Sequence, residues 1–196
     1  MRERERAWIA MPSLPRALGM PCSECADLES AVQWCERWLR LRARALQGRE
    51  AGGGSPSRLA AVFDIDATLV SDDARIEETC RLLSLCADLG IVHVLITARP
   101  EEGRSFTEDQ LGRLGIRGHK RLYMHPSRVR CDSSGAGREK LSSRSRVAAR
   151  GYDVVLNAGD ALHDHFHPVP SEAKRYLSPH VPYVFLTDAG VAHLKL

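Results

Sequence analysis

After residue 58 the chain alternates short apolar runs with stretches of helical periodicity. The apolar runs cover residues 59–63, 91–96, 121–124, 152–156 and 182–186, and the helical stretches cover residues 73–88, 105–114, 139–150 and 170–177. Strands that alternate with helices typically form a parallel sheet with helices on both faces. The pattern therefore predicts an α/β fold with three layers and a Rossmann-like sheet.

An apolar helix precedes this pattern. Over residues 26–47 apolar residues recur at intervals of three and four in two stripes, and the second stripe contains Trp34 and Trp38. A helix that is apolar over so wide an arc is usually buried on more than one side. We expect it to pack on the main domain, and the alternatives are a partner, a second copy of the chain, or a role as a lid over the site.

Residues 48–58, GREAGGGSPSR, have the glycine and serine content of a flexible linker. We therefore predict an N-terminal extension over residues 1–57 and a separate domain over residues 58–196.

Composition indicates the compartment and the classes of partner of the protein, and it says less about its chemistry. The 28 basic and 25 acidic residues give a net charge of +3, which is too balanced to indicate a nucleic-acid or membrane surface by itself. The six cysteines show no disulfide-framework spacing, and no apolar run is long enough to span a membrane. We expect a soluble, cytoplasmic protein with no membrane partner.

Four of the apolar runs are followed by a polar residue: Asp64, Thr97, Asn157 and Thr187. In an open parallel sheet the carboxyl ends of the strands line the ligand crevice. We therefore expect these four residues at one edge of the sheet, where a site should lie.

Four aspartates near this edge indicate a metal site. Asp64 and Asp66 project to the same side of an extended segment, and two adjacent carboxylates resist burial unless a cation or a proton lies between them. Asp160 and Asp164 follow another strand, after a glycine, Gly159, that permits a sharp turn. Carboxylate oxygens are the ligands that Mg²⁺ prefers, so Mg²⁺ is the expected cofactor.

An anion site is expected beside the metal. Thr97 supplies a hydroxyl group, the Thr97–Ala98–Arg99 segment supplies backbone donors, and Lys140 brings a positive charge from a helix start. Arg99 either grips phosphate or pairs with one of the nearby glutamates. A phosphoryl group fits this combination, since its transfer depends mainly on positioning and charge neutralisation.

Two other segments carry weaker signals. His163, His165 and His167 alternate along the chain, and we favour a solvated loop over a transition-metal site because this spacing does not aim all three at one ion. Residues 127–140 are rich in Arg, Ser and Gly and are expected to form a mobile loop.

Four segments resemble, in order, the motifs of the haloacid dehalogenase (HAD) superfamily of phosphohydrolases. They are FDIDATLV, LITAR, Lys140 and NAGDALHD. The sequence between the motifs is similar to the acid-phosphatase branch, which includes class B acid phosphatases, plant acid phosphatases and vegetative storage proteins. The resemblance covers residues 59–165 and implies a HAD-like fold without a large cap.

The resemblance also implies a role for each matching residue in the reaction. Asp64 would be the nucleophile that forms an aspartyl-phosphate, and Asp66 would protonate the leaving oxygen and then activate water. Thr97 would hydrogen-bond the phosphoryl oxygens, and Lys140 would neutralise negative charge. Ala67 departs from the family pattern, which more often has Gly, Glu or Asp there.

The same resemblance implies a metal shell. Asp64, Asp160 and Asp164 would bind Mg²⁺, together with the backbone carbonyl of Asp66. The expected function is hydrolysis of phosphomonoesters on small molecules or macromolecules. The alternatives are a phosphatase of nucleic-acid 3′ ends, which the Arg-rich residues 113–150 suggest, and a non-catalytic storage or interaction protein on the same scaffold.

Overall fold

The computed structural model describes residues 23–51, 58–126, 133–169, 182–187 and 190–196. The strands are β1 (Ser23–Glu24), β2 (Arg58–Phe63), β3 (Val70–Ser71), β4 (Ala74–Arg75), β5 (Val92–Pro100), β6 (Arg121–His125), β7 (Tyr152–Gly159), β8 (Tyr183–Leu186) and β9 (Ala192–Lys195). The helices are α1 (Leu28–Ala51), α2 (Glu77–Asp88), α3 (Arg104–Arg113), α4 (Ser133–Ala149) and α5 (Leu162–His165). A 3₁₀ turn, Glu101–Gly103, leads into α3.

Seven of the strands form one sheet in the order β1-β8-β9-β7-β2-β5-β6. Strands β9, β7, β2, β5 and β6 run parallel to one another. Strands β3 and β4 form a separate two-stranded hairpin. The predicted α/β fold with a Rossmann-like, mostly parallel sheet is confirmed.

The central strand β2 is buried on both faces of the sheet. Leu59 and Phe63 belong to a core that also contains residues of α1 and α2, such as Leu39 and Leu82. The alternate residues of β2 pack on the other face, in a second core with Val147 of α4. This alternation follows from the two-residue period of a strand, and it gives the three layers expected from the sequence.

Helix α1 covers one face of the sheet. Val32, Cys35 and Leu39 are fully buried in the larger core, and the indole Nε1 of Trp38 donates to the carbonyl oxygen of Val155 in β7 at 2.9 Å. Only the outer end of the second stripe is exposed, with Leu41 at 59%. Of the alternatives for this helix, the structure therefore shows the first, in which the helix packs on the sheet.

The predicted linker is partly helical, because α1 continues to Ala51. Residues 52–57 lie outside the described part of the chain, as does the helix predicted over 170–177. The division into an extension and a separate domain stays a prediction.

The helix predicted over 73–88 begins later, at Glu77. The preceding residues form the β3–β4 hairpin, whose turn residues Asp72 and Asp73 have φ values of 48° and 60°. Two consecutive left-handed residues make the tight turn that matches the twist of paired strands, and aspartate tolerates that conformation.

Helix α4 begins at Ser133, so the second half of the loop predicted over 127–140 is helical. Lys140 is therefore two turns inside a helix and not at its start. The glycines and serines of this segment concealed the helix, whose packing against β5 and β7 outweighs their low intrinsic propensity. Residues 127–132 lie outside the described residues.

Strand β8 runs antiparallel to β9, which corrects the expectation for Thr187. Leu186 pairs with Ala192 at the start of β9, and Tyr183 pairs with Lys195 at its end. Thr187 consequently lies at the amino edge of the parallel strands, opposite the predicted site.

Residues 64–91, all described, contain only the β3–β4 hairpin and α2 as regular elements, so no large cap is inserted there. None of the described helices is both long enough and apolar enough to cross a membrane.

Candidate functional site

Three aspartates meet at the carboxyl ends of β2 and β7, which are neighbours in the sheet. Asp64 follows β2, and its backbone N–H donates to the carbonyl oxygen of Ala158 in β7 at 2.9 Å. Asp160 and Asp164 follow β7. One carboxylate oxygen from each of the three lies within 4.8 Å of the others. The structure therefore brings together three of the four predicted metal ligands.

Gly159 makes this approach sterically feasible. It is the last residue of β7, and a Cβ atom built on it would lie 2.5 Å from Oδ2 of Asp164 and 2.7 Å from its Cγ. The sequence predicted that this glycine permits a sharp turn. Its structural role is instead to leave room for the Asp164 carboxylate beside the end of the strand.

Lys140 of α4 binds two of the three carboxylates. Its Nζ donates to Oδ1 of Asp64 at 2.7 Å and also to Oδ1 of Asp164. All three side chains are buried, with exposed fractions of 7% or less. The predicted contact between the lysine and the predicted nucleophile is present.

A polar clamp fixes the backbone at Asp164. Its carbonyl oxygen accepts from Nη1 of Arg144 at 2.5 Å and from Nδ2 of Asn157 at 2.9 Å, while its Oδ2 accepts from the backbone N–H of Ala161 at 2.8 Å. Sequence reasoning placed Asn157 at the edge without this role and gave none to Arg144. The spacing of four residues between Lys140 and Arg144 was the available signal, because residues i and i+4 share one face of a helix.

Burial and charge perturb the pKa values of this group. Burial, followed by the charge of Asp164, raises the pKa of Asp64 to about 8 against the opposing effect of Lys140. Burial and Asp164 also raise the pKa of Asp160. For Asp164 burial is again the largest single cause and acts in the same direction, but the charge and hydrogen bond of Lys140, together with the neighbouring His165 and His163, outweigh it and lower the pKa. A single ammonium group therefore leaves this three-carboxylate cluster with excess negative charge.

The acidic cluster fits a hard divalent cation. It offers three carboxylate oxygens close together, and a cation there would offset the burial and the mutual repulsion that raise the pKa values of Asp64 and Asp160. Mg²⁺ and Ca²⁺ both bind such oxygen ligands. Within the described residues this is the one cluster of acidic, histidine and cysteine side chains arranged to hold a metal ion.

Asp66, the fourth predicted ligand, directs its carboxylate elsewhere. Its Oδ1 accepts from Nη2 of Arg99 at 2.7 Å, and its Oδ2 accepts from Nε of the same residue at 3.0 Å. The Asp66 side chain is 53% exposed, so this pair lies at the mouth of the site. Arg99 therefore pairs with an aspartate across the site, a partner that neither of the two alternatives from the sequence had named.

Thr97 and Ala98 lie within β5 beside this pair. Thr97 is buried, and its Oγ1 accepts from the backbone N–H of Arg99 at 3.2 Å. Ala98 is half-buried. Both lie near the carboxyl end of a strand adjacent to β2, as expected for a phosphate-binding segment.

The histidines form no common site. The expected solvated loop is wrong for His165, which is buried with its Nε2 3.1 Å from the carbonyl oxygen of Gly159 and its Nδ1 3.2 Å from Nδ1 of His193. Burial lowers the pKa of His165 to about 4, which keeps it neutral near pH 7. His163 is half-buried, with its Nε2 3.8 Å from Oδ1 of Asp164.

Comparison with known proteins identifies the family. Residues 70–178, more than half of the chain, match the family model described as HAD superfamily, subfamily IIIB (Acid phosphatase). The matched range includes Thr97, Lys140, Asp160 and Asp164. No curated protein matches the chain.

Among solved structures, the class C acid phosphatase from Bacillus anthracis is similar, with a TM-score of 0.48 and 15% sequence identity. The alignment covers 71% of this chain but only 65% of that structure, which is less than two thirds of its length. The family assignment rests on the match of residues 70–178, which confirms the resemblance seen in the motifs. The chain belongs to subfamily IIIB of the HAD superfamily, the acid phosphatase subfamily.

Proposed function

We propose that the protein is a Mg²⁺-dependent phosphomonoester hydrolase that works through an aspartyl-phosphate on Asp64. The observation that carries this proposal is the contact between Lys140 and Asp64 beside the three-carboxylate cluster. A buried carboxylate at the carboxyl edge of a parallel sheet, held by a lysine, is positioned to attack phosphorus.

The proposed reaction has two steps. In the first, a carboxylate oxygen of Asp64 attacks phosphorus, the bond from phosphorus to the leaving oxygen breaks, and that oxygen takes a proton from Asp66. In the second, Asp66 takes a proton from water as the water oxygen attacks phosphorus. The bond to Asp64 then breaks, which releases inorganic phosphate and regenerates the free carboxylate.

The other residues bind and orient the phosphoryl group. Lys140 offsets the charge of the nucleophile and of the phosphoryl oxygens, and Thr97, Ala98 and Arg99 supply hydrogen-bond donors. Asp64, Asp160 and Asp164 would hold Mg²⁺, together with the backbone carbonyl of Asp66. Bound Mg²⁺ would supply Lewis-acid stabilisation of the phosphoryl oxygens.

The test is hydrolysis of 4-nitrophenyl phosphate with and without Mg²⁺ by the wild type and by Asp64→Asn. We expect Mg²⁺-dependent turnover that falls by about 1,000-fold or more in the variant, because the nucleophile is lost. Asp88→Asn, an exposed aspartate on α2, is the matched control and should keep wild-type activity.

The outcomes separate the two classes of function that the sequence leaves open. Turnover that persists in Asp64→Asn would contradict the aspartyl-phosphate mechanism. A folded, Mg²⁺-binding wild type that hydrolyses none of a panel of phosphomonoesters, including 3′-phosphorylated oligonucleotides, would favour the non-catalytic alternative.

A second substrate class is favoured by the exposed mouth of the site. Asp66 is half-exposed and no large cap is inserted between β2 and β5, so a phosphate on a macromolecule has access. A nucleic-acid 3′-phosphatase would show higher kcat/KM on 3′-phosphorylated oligonucleotides than on mononucleotides, with a preference that falls as salt rises. Equal kcat/KM values at all salt concentrations would exclude this candidate.

A further inference from the structure

The guanidinium group of Arg99 is held from two sides. Towards the mouth of the site, its Nε and Nη2 donate to the carboxylate of Asp66. Towards α3, its Nη1 donates to Oε1 of Gln110 at 2.8 Å and to Oγ1 of Thr107 at 3.3 Å. Thr107 and Gln110 are three residues apart on α3 and are both buried, so one face of the helix forms the inner support.

Gln110 is itself held in a single orientation. Its Nε2 donates to Oδ1 of Asp73 at 2.6 Å, in the turn of the β3–β4 hairpin. Because the amide nitrogen is used by Asp73, the amide oxygen faces Arg99. The contacts form a continuous series from the hairpin through α3 to the mouth of the site.

We propose that Gln110 is a positioning residue that fixes the Arg99 guanidinium and, through it, the carboxylate of Asp66 beside the leaving oxygen. The inference rests on the proposed function, since it concerns the group that exchanges a proton with the leaving oxygen and water. Gln110 lies on α3, outside the four motifs, and is separated from Asp66 by Arg99.

The physical basis is the exposure of Asp66. A half-exposed carboxylate has few packing contacts to limit its rotamers, so its position depends on its hydrogen-bond partner. The planar guanidinium supplies that constraint only while its other edge is anchored. General acid catalysis requires the proton donor within hydrogen-bond distance of the leaving oxygen, and small displacements reduce the rate strongly.

The test compares two substrates in the wild type and in Gln110→Met, which keeps the length of the side chain but cannot hydrogen-bond Arg99. 4-Nitrophenyl phosphate has a good leaving group that needs little protonation, whereas glycerol phosphate has a poor one that needs it fully. We expect kcat on glycerol phosphate to fall about tenfold more than kcat on 4-nitrophenyl phosphate. A merely structural defect would lower both rates by the same factor.

Two further variants address the buried position of Gln110. Asp73→Gly removes the acceptor that orients the amide and suits the left-handed φ of 60°, while Asp73→Asn keeps an acceptor oxygen in the same conformation. We expect Asp73→Gly to shift the ratio of the two rates in the direction of Gln110→Met, and Asp73→Asn to shift it less. Gln33→Met, an exposed glutamine on α1, should leave the ratio unchanged.

The change that Gln110→Met causes in the ratio of the two rates must also depend on Asp66. In an Asp66→Asn background, adding Gln110→Met should not change the ratio further, because the group being positioned is already lost. The inference would be overturned if Gln110→Met lowered kcat by the same factor on both esters, which leaves their ratio unchanged. It would also be overturned if the variant raised KM without changing kcat. The last result would assign Arg99 to phosphate binding alone. A folded, Mg²⁺-binding wild type that hydrolyses neither of these esters nor any other member of the phosphomonoester panel would overturn the proposed function and the inference together.

Discussion

The two halves of the site differ in how they hold their charges. In the inner half Lys140 and Asp164 are nearly inaccessible, with exposed fractions of 4% and 3%, and the backbone of Asp164 is clamped by Arg144 and Asn157. At the mouth the Asp66 carboxylate is 53% exposed and pairs with Arg99. The inner half is built into the core, and the outer half is built on its surface.

This difference assigns different tasks to the two halves. Buried charges interact strongly and lose much when one partner is removed, so the inner half fixes the nucleophile and the metal ligands in place. Exposed pairs contribute little stability, so the pair at the mouth leaves Asp66 accessible to a substrate and a leaving group while Arg99 sets the position of its carboxylate. We expect substitutions in the inner half to affect stability and activity together, and loss of the charged pair at the mouth to affect activity with little change in stability.

Lys140→Met should have the largest effect. It leaves the buried carboxylates of Asp64 and Asp164 without the ammonium group that binds both, and breaking a buried ion pair typically costs about 3–5 kcal/mol. We expect phosphatase activity to be lost and the free energy of unfolding in metal-free buffer to fall by about that amount. Urea denaturation followed by circular dichroism measures the second quantity.

Asp66→Asn is the matched change at the mouth. It removes one partner of an exposed pair, so the free energy of unfolding should change by about 1 kcal/mol or less while activity falls sharply. Equal losses of stability in Asp66→Asn and Lys140→Met would show that the contrast between the halves is wrong.

Addition of Mg²⁺ should recover part of the stability of Lys140→Met, because a bound cation replaces the missing positive charge.

Gly159→Ala should have the next largest effect, and it tests the inner half without removing any charge. The added methyl group would lie 2.5 Å from Oδ2 of Asp164, so the carboxylate must move out of the cluster. We expect the Mg²⁺-induced rise in melting temperature to be lost and activity to fall by about 100-fold. Thermal unfolding with and without Mg²⁺ measures the first effect.

Gly48→Ala is the control for this change. A Cβ atom at Gly48 meets nothing within 4 Å, and alanine favours the helix by about 1 kcal/mol. This variant should keep the response to Mg²⁺ and unfold at a slightly higher temperature. If Gly159→Ala keeps the full Mg²⁺ response, Asp164 does not contribute to the metal site.

The inner half was largely predictable because local patterns encode it. The apolar run over 59–63 ends at Asp64, and the run over 152–156 ends shortly before Asp160 and Asp164, so these residues were expected at the carboxyl edge of the sheet. The clamp was not predictable in the same way. Whether Arg144 donates to the backbone or faces solvent depends on how α4 packs on the sheet, which no local pattern specifies.

The direction of β8 and the start of α4 were mispredicted for a related reason. An apolar run indicates a strand but not its direction, so Thr187 was placed at the wrong edge. The Ser- and Gly-rich sequence before Lys140 has weak helix propensity, and packing against the sheet determined its conformation. The pair between Asp66 and Arg99 joins residues 33 positions apart, and sequence spacing gave no reason to prefer it to nearer glutamates.

The smallest expected effect is at the mouth, where Ala67 has a φ of 52° and an exposed side chain. A residue with a Cβ atom in the left-handed region is strained by about 1–2 kcal/mol. Glycine removes this strain, but it loses more conformational entropy on folding, which offsets part of the gain. We expect Ala67→Gly to raise the free energy of unfolding by about 0.5–1 kcal/mol, or a few degrees in melting temperature. Gly90→Ala makes the reverse change at a φ of 68° with nothing within 4 Å of the new Cβ, so it should destabilise by a similar amount. A loss of stability in Ala67→Gly would mean that the Ala67 methyl group has packing contacts, and that the mouth is less independent of the core than its exposure indicates.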